Sequence, residues 1–143
     1  MTKNIALKIA TLLVLCIFTL SLGVSSFAKM KEPDSINWSY LATCDYSFDL
    51  VSSDSSYKYF YMMGSTTVGS TRNAYVKVEL QQLLDGVWTT IYTLTDEDYA
   101  IAAVEKNNYK VPKNYTYRLK LTHKAKTTSG TTLETYTHNS YTL

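Results

Sequence analysis

The chain has 143 residues, 14 Lys and Arg against 12 Asp and Glu, 45% hydrophobic residues and 13 tyrosines. That length suits a single domain of moderate size. The near balance of charge excludes the broad positive field of a typical nucleic-acid-binding domain, and two cysteines, Cys16 and Cys44, are too few for a disulfide scaffold.

At the N-terminus Lys3 and Lys8 lead into an almost wholly apolar run from Ile9 to Leu22, followed by Gly23-Val24-Ser25-Ser26-Phe27-Ala28. A short basic region, an apolar core and small residues at the third and first positions before a cut describe a secretory signal peptide. Cleavage is expected between Ala28 and Lys29. The apolar run falls short of the ~20 residues a spanning helix needs, so the membrane is expected as a partner only before cleavage. Residues 1–28 remove two lysines and no acid, which leaves 12 residues of each sign in a formally neutral mature chain. They also remove Cys16. Cys44 then stands alone, on the strand parity of Ala42, Tyr46, Phe48 and Leu50, where a buried, inert thiol is expected.

Residues 29–35 are polar, contain Pro33 and read as a flexible leader; 36–143 are expected to form one domain. Its first strand alternates Ala42, Cys44, Tyr46, Phe48 and Leu50 with polar residues, and the cluster from Ser52 to Ser56 turns the chain. A second strand, Tyr57 to Met63, places Tyr57, Tyr59 and Tyr61 on one parity and Phe60 and Met62 on the other. Gly64 to Asn73 reads as a polar loop.

The organising stretch follows, Ala74 to Thr95. Ala74, Val76, Val78 and Leu80 alternate with Tyr75, Lys77, Glu79 and Gln81, the period of a half-buried strand. Val87 to Leu94 is rich in β-branched and aromatic residues. Asp85-Gly86 between them signals a tight hairpin, because Gly accepts a positive φ. A two-residue turn sets Leu80 opposite Ile91 and a four-residue loop sets Val78 opposite Ile91; both leave Trp88 and Tyr92 on the face away from Val78. A three-residue loop with a bulge at Gly86 swaps the faces and buries Trp88.

Asp96-Glu97-Asp98 reads as a solvated turn closing this hairpin, since the staggered spacing of a calcium loop is missing. Tyr99 to Val104 is expected to be a short strand. Pro112-Lys113-Asn114 turns the chain into a strand alternating Tyr115, Tyr117, Leu119, Leu121, His123 and Ala125 with Thr116, Arg118, Lys120, Thr122, Lys124 and Lys126. After a Ser129-Gly130 turn, a last strand runs with either Leu133, Thr135 and Thr137 or Glu134, Tyr136 and His138 inward. About seven short strands, polar turns and no helix in the mature part predict an all-β, antiparallel two-sheet sandwich.

The passage from Val111 to Leu121 resembles the entry to the penultimate strand of fibronectin type III and immunoglobulin-like sandwiches, where a tyrosine near the strand start bonds back to the preceding corner. Tyr115 or Tyr117 would fill that role. The signal peptide with Leu80-Gln81-Gln82, Gly86-Val87-Trp88, Tyr115-Thr116-Tyr117-Arg118, Ser129-Gly130 and Glu134-Thr135 resembles a group of small, uncharacterised secreted proteins of Gram-positive, clostridia-type bacteria. That resemblance implies fold and export and no activity.

Three constellations carry candidate chemistry. His123 and His138 fall on strands expected to pair, but a metal site needs further ligands and only Glu134 and Tyr136 lie near; no metal or cofactor is expected. Arg118, Lys120, Lys124 and Lys126 form a basic stripe suited to anionic polymer, with Lys106, Lys110 and Lys113 upstream in sequence and Glu134 placed to neutralise it from the next strand. Tyr57, Tyr59, Tyr61, Tyr75, Trp88 and Tyr92 are candidate glycan contacts, although tyrosine also suits strands in its own right. Without a nucleophile motif, paired cysteines or a phosphate loop, the chain is expected to be a non-catalytic binding protein. It would act outside the cell or at its surface on a glycan, wall polymer or protein, not on nucleic acid; a toxin-like or bacteriocin-like effector and an unrecognised enzyme are the other readings. No wall-sorting motif is evident at Leu143, so release or non-covalent retention at the wall is expected.

Overall fold

The structure, a computed structural model, describes residues 39–69 and 71–143. The expected signal peptide, the Ala28–Lys29 cleavage site and the leader lie outside the described residues. Seven strands follow in order: β1 (Leu41–Ser53), β2 (Tyr57–Val68), β3 (Asn73–Leu84), β4 (Val87–Tyr99), β5 (Ile101–Pro112), β6 (Tyr117–Lys126) and β7 (Thr132–Asn139). They form two antiparallel sheets, one ordered β1-β2-β5 and the other β4-β3-β6-β7, so the expected all-β sandwich is the observed fold. Among the described residues there is no helix long and apolar enough to cross a membrane.

Alternation builds the core. Phe48 from β1, Phe60 and Met62 from β2, Val76, Val78 and Leu80 from β3, and Tyr117, Leu119 and Leu121 from β6 all point between the sheets and are essentially inaccessible to solvent. Burying each large apolar side chain contributes roughly 1.5–3 kcal/mol, offset by the entropy of ordering the chain. Phe60 packs at 4.8 Å from Phe48 and edge-on at 5.5 Å from Tyr117. The Tyr117 hydroxyl donates to Pro112 O at 2.7 Å, so Tyr117 ties the β5–β6 corner while Tyr115 stays exposed.

Turn chemistry matches the sequence at three places. Asp85 and Gly86 both have positive φ, 49° and 80°, the signature of a two-residue turn of the mirror-image type. Asp54 Oδ1 accepts from the backbone N–H groups of Ser56 and Tyr57 at 2.8 and 2.7 Å, which folds the β1–β2 turn and holds its carboxyl below the usual range. Gly130 supplies the positive φ of the β6–β7 turn.

Elsewhere the structure corrects the reading. The loop expected over Gly64 to Asn73 is mostly strand: Gly64, Thr66 and Val68 continue the inward parity of β2, which ends at Val68, and β3 begins at Asn73. The polar run hid a strand because Thr66 is buried and bonded, donating to Tyr75 O at 3.0 Å. Asp96-Glu97-Asp98 is strand as well, within β4. Each acid has its own task there: Asp96 accepts from Ala103 N at 3.0 Å, Glu97 pairs with Lys126, and Asp98 accepts from Tyr99 N. The turn lies one step further on at Ala100, whose φ of 63° is held by two backbone hydrogen bonds.

The hairpin register is a combination not foreseen. Leu84 faces Val87 across a two-residue turn, but the pairing jumps between Leu80 and Gln81 so that Leu80 faces Tyr92 and Ile91 is left over in a bulge. One extra residue reverses the parity of everything beyond it. Trp88 therefore stays on the outer face, while Tyr92 and Leu94 turn inward and pack on the core.

Candidate functional site

The outer face of the four-stranded sheet gathers most of the sequence-predicted cations. On β6, Arg118, Lys120, Thr122 and Lys124 point outward between the core positions, opposite Gln81, Glu79, Lys77 and Tyr75 of β3. Arg118 is fixed on two sides. Its Nε donates to Gln81 Oε1 at 2.9 Å, and Gln81 in turn reaches Thr90 Oγ1 at 3.3 Å. Its guanidinium lies 4.2 Å above the Trp88 ring, a contact worth about 0.5–1 kcal/mol at a partly exposed site.

At the other end of the face, Lys124 and Lys126 stand 5.1 and 5.2 Å from the Tyr75 ring. Lys126 is also neutralised by Glu97 at 2.6 Å. Lys77 lies 3.0 Å from Glu79 Oε2 without the direction of a hydrogen bond, so that contact is electrostatic. The expected neutraliser, Glu134, is elsewhere. It sits opposite Ala125 on the inward parity and accepts from the N–H groups of Tyr40 and Leu41 at 2.7 and 2.9 Å, with a longer bond from Ser39. Desolvation pushes its carboxyl up, but those N–H groups together hold it below the usual range. Arg118, Lys120 and Lys124 thus have no carboxylate partner among the described residues.

The six candidate aromatics fall in three places. Tyr75 and Trp88 flank the basic row. Tyr57, Tyr59 and Tyr61 line the outer face of the other sheet, on the far side of the sandwich, where Lys110 Nζ sits 3.7 Å over the Tyr57 ring and the hydroxyls of Tyr59 and Tyr61 donate to Asp54 and Glu105. Burial first, then Glu105, raises the Tyr61 pKa. Tyr92 lies inside the sandwich edge, stacked on Tyr109 at 4.4 Å. Lys106, Lys110 and Lys113 belong to β5 and the turn after it, in the opposite sheet from the basic row.

The sheet does bring the histidines together, as the pairing of the last two strands predicted. Their rings are parallel within 8° at 5.2 Å, with Tyr136 and Tyr46 completing the cluster. They face inward, however. His123 is fully buried, with Nδ1 2.8 Å from Thr66 Oγ1 and Nε2 without a hydrogen-bond partner among the described residues. Thr66 has one hydroxyl proton and spends it on Tyr75 O, so the proton between Thr66 and His123 belongs to Nδ1. Burial, then the neighbouring His138, lowers the His123 pKa to about 3; burial lowers that of His138 as well. Among the described residues no group of three or more His, Cys, Asp or Glu is placed to hold a metal ion. Cys44 is buried, its thiol pushed up to about 12 by desolvation and then by Asp45 and Glu134, which keeps it a poor nucleophile.

Gln81 and Thr90, which position Arg118, were missed from sequence. Gln81 shares the polar parity of Tyr75, Lys77 and Glu79, but its partner depends on the β3–β6 pairing, which no local pattern records. Comparison with known proteins found no match to a family model, to a curated protein or to a solved structure.

Proposed function

We propose that the chain is an exported, non-catalytic binding protein that works at or outside the cell surface, with the outer face of the four-stranded sheet as its contact surface. The observation that carries this reading is the row of Arg118, Lys120 and Lys124. Three cations without carboxylate partners among the described residues stand on a central strand, between β3 and β7, while the cations beside them are paired. An edge strand uses such charges to discourage pairing, but β6 is not an edge. The strand order and the Tyr117–Pro112 bond support a likeness to the fibronectin type III and immunoglobulin-like sandwiches, folds that host binding faces of many kinds.

The test is sedimentation of the purified protein with Gram-positive cell walls, before and after removal of their anionic polymers, across a salt series. Salt-sensitive pelleting that disappears with the polymer is the expected result. Salt-resistant pelleting competed by soluble sugars moves the contact to the tyrosine row of β2. Protein that stays in the supernatant throughout removes the wall reading, and a soluble protein partner or a toxin-like role takes its place.

A further inference from the structure

We infer that the Arg118–Lys120–Lys124 row is a track for a linear polyanion carrying phosphate-type oxyanions at regular intervals. The inference rests on the binding reading above and names its ligand class. Along one face of a strand, alternate residues recur every ~6.7 Å, so Arg118 and Lys120 are one such step apart and Lys124 two steps further, about 20 Å from Arg118. A chain with one anion per step meets all three cations in register, while Thr122 fills the vacant position between Lys120 and Lys124.

Arg118 is the best-prepared contact. Gln81 occupies its Nε and Trp88 one face, so its two terminal nitrogens remain as a fixed fork without hydrogen bonds among the described residues. A planar fork of this kind matches two oxygens of a phosphate, and the entropy of ordering the long side chain has already been lost on folding. The banks of the track agree with an anionic occupant. On one side β7 presents Thr135, Thr137 and Asn139, without charge; on the other, the acids Glu79 and Glu97 are engaged by Lys77 and Lys126. The whole face carries five cations, Lys77, Arg118, Lys120, Lys124 and Lys126, against those two acids. The rings at both ends, Trp88 and Tyr75, each hold a cation over the ring. They therefore serve to place charge, which favours a polyanion over a neutral glycan or a row of stacked bases.

The experiment measures binding of long-chain inorganic polyphosphate by isothermal titration, using protein purified after expression of the full chain, with tryptophan fluorescence as a second readout because Arg118 rests on Trp88. Affinity is expected to fall with salt, with a log–log slope of about 2 to 3 that shrinks by about one for each cation removed, by analogy with counterion release from nucleic acids. Arg118→Gln, Lys120→Gln and Lys124→Gln should each weaken binding about 3- to 10-fold at low salt, roughly 0.7–1.4 kcal/mol. The triple variant should lose it, and Lys110→Gln, on the opposite face, should leave it unchanged. Thermal unfolding of each variant establishes that it is folded. Unaltered binding by a folded triple variant overturns the inference, as does equal competition by neutral dextran. Tighter binding of a short oligothymidylate overturns it in favour of nucleic acid. Polyphosphate binding that follows the row while cell walls fail to pellet the protein upholds the inference and removes only the wall reading; wall pelleting unaffected by the triple substitution removes the inference and leaves the wall reading standing.

Discussion

At His123 the fold holds an imidazole neutral by enclosing it. The ring has no exposure, Nε2 has no hydrogen-bond partner among the described residues, and His138 lies parallel at 5.2 Å, so a proton on either ring would be a buried charge beside a second protonatable ring. The native pKa of about 3 lies below the ordinary value of 6.5, so between those values the unfolded chain binds the proton and the native chain does not. Stability from this residue is complete above about pH 6.5 and is lost progressively as the pH falls towards 3, with about 2 kcal/mol gone by about pH 5. His138, lowered in the same direction, adds to the loss. Chemical denaturation from about pH 7 to pH 5 should show this decline, and His123→Phe should flatten it; equal slopes for the two proteins would sink the assignment. The burial of His123 was legible in its parity with Leu119 and Leu121. Its bond to Thr66 was not, because Thr66 lay in a stretch whose composition imitates a loop.

Gly64 shows how an element can be shaped by a missing side chain. It sits on the inward parity of β2 opposite Val104 of β5, and a Cβ there would come 2.5 Å from Val78 Cγ2 and 3.2 Å from Val76 Cγ2. Valine is stiff about χ1, and these two side chains belong to the packed interior of β3, so the sheets would have to move apart locally. Gly64→Ala should therefore destabilise the domain by about 1–3 kcal/mol, the usual cost of overpacking, measured as a lower urea midpoint at unchanged m. A neutral or stabilising substitution would mean that the sheets separate more easily than this packing implies. The same glycine marks the limit of what the pattern disclosed. Strand parity was readable wherever apolar residues alternated, as in β3 and β6. It failed where small and polar residues face inward, and where a bulge changes parity silently. Ile91 is the clearest case: nothing in Thr89-Thr90-Ile91-Tyr92 marks one residue as surplus, yet that residue decides that Tyr92 is interior and Trp88 is not.

Over the whole molecule, a chain whose charges nearly balance proves to be electrically two-sided. The outer face of the four-stranded sheet carries an excess of cations, whereas the other sheet presents Asp45, Asp49 and Glu105 beside the exposed Lys106 and Lys110, with Asp54 at its end bonded to Tyr59 and to Lys113. Composition conceals this, because charges of opposite sign cancel in the sum while the fold sends them to opposite faces. Adsorption to a charged surface depends on the field of the face presented, not on net charge. Near neutral pH and at low ionic strength the protein should therefore be retained by both cation and anion exchangers, each gripping a different face. Arg118→Gln, Lys120→Gln and Lys124→Gln in combination should abolish retention on the cation exchanger and preserve or strengthen it on the anion exchanger. A variant that loses both together, or neither, would mean that retention follows overall charge or unfolding, and the separation of faces would have no consequence at the scale on which a polymer meets the protein.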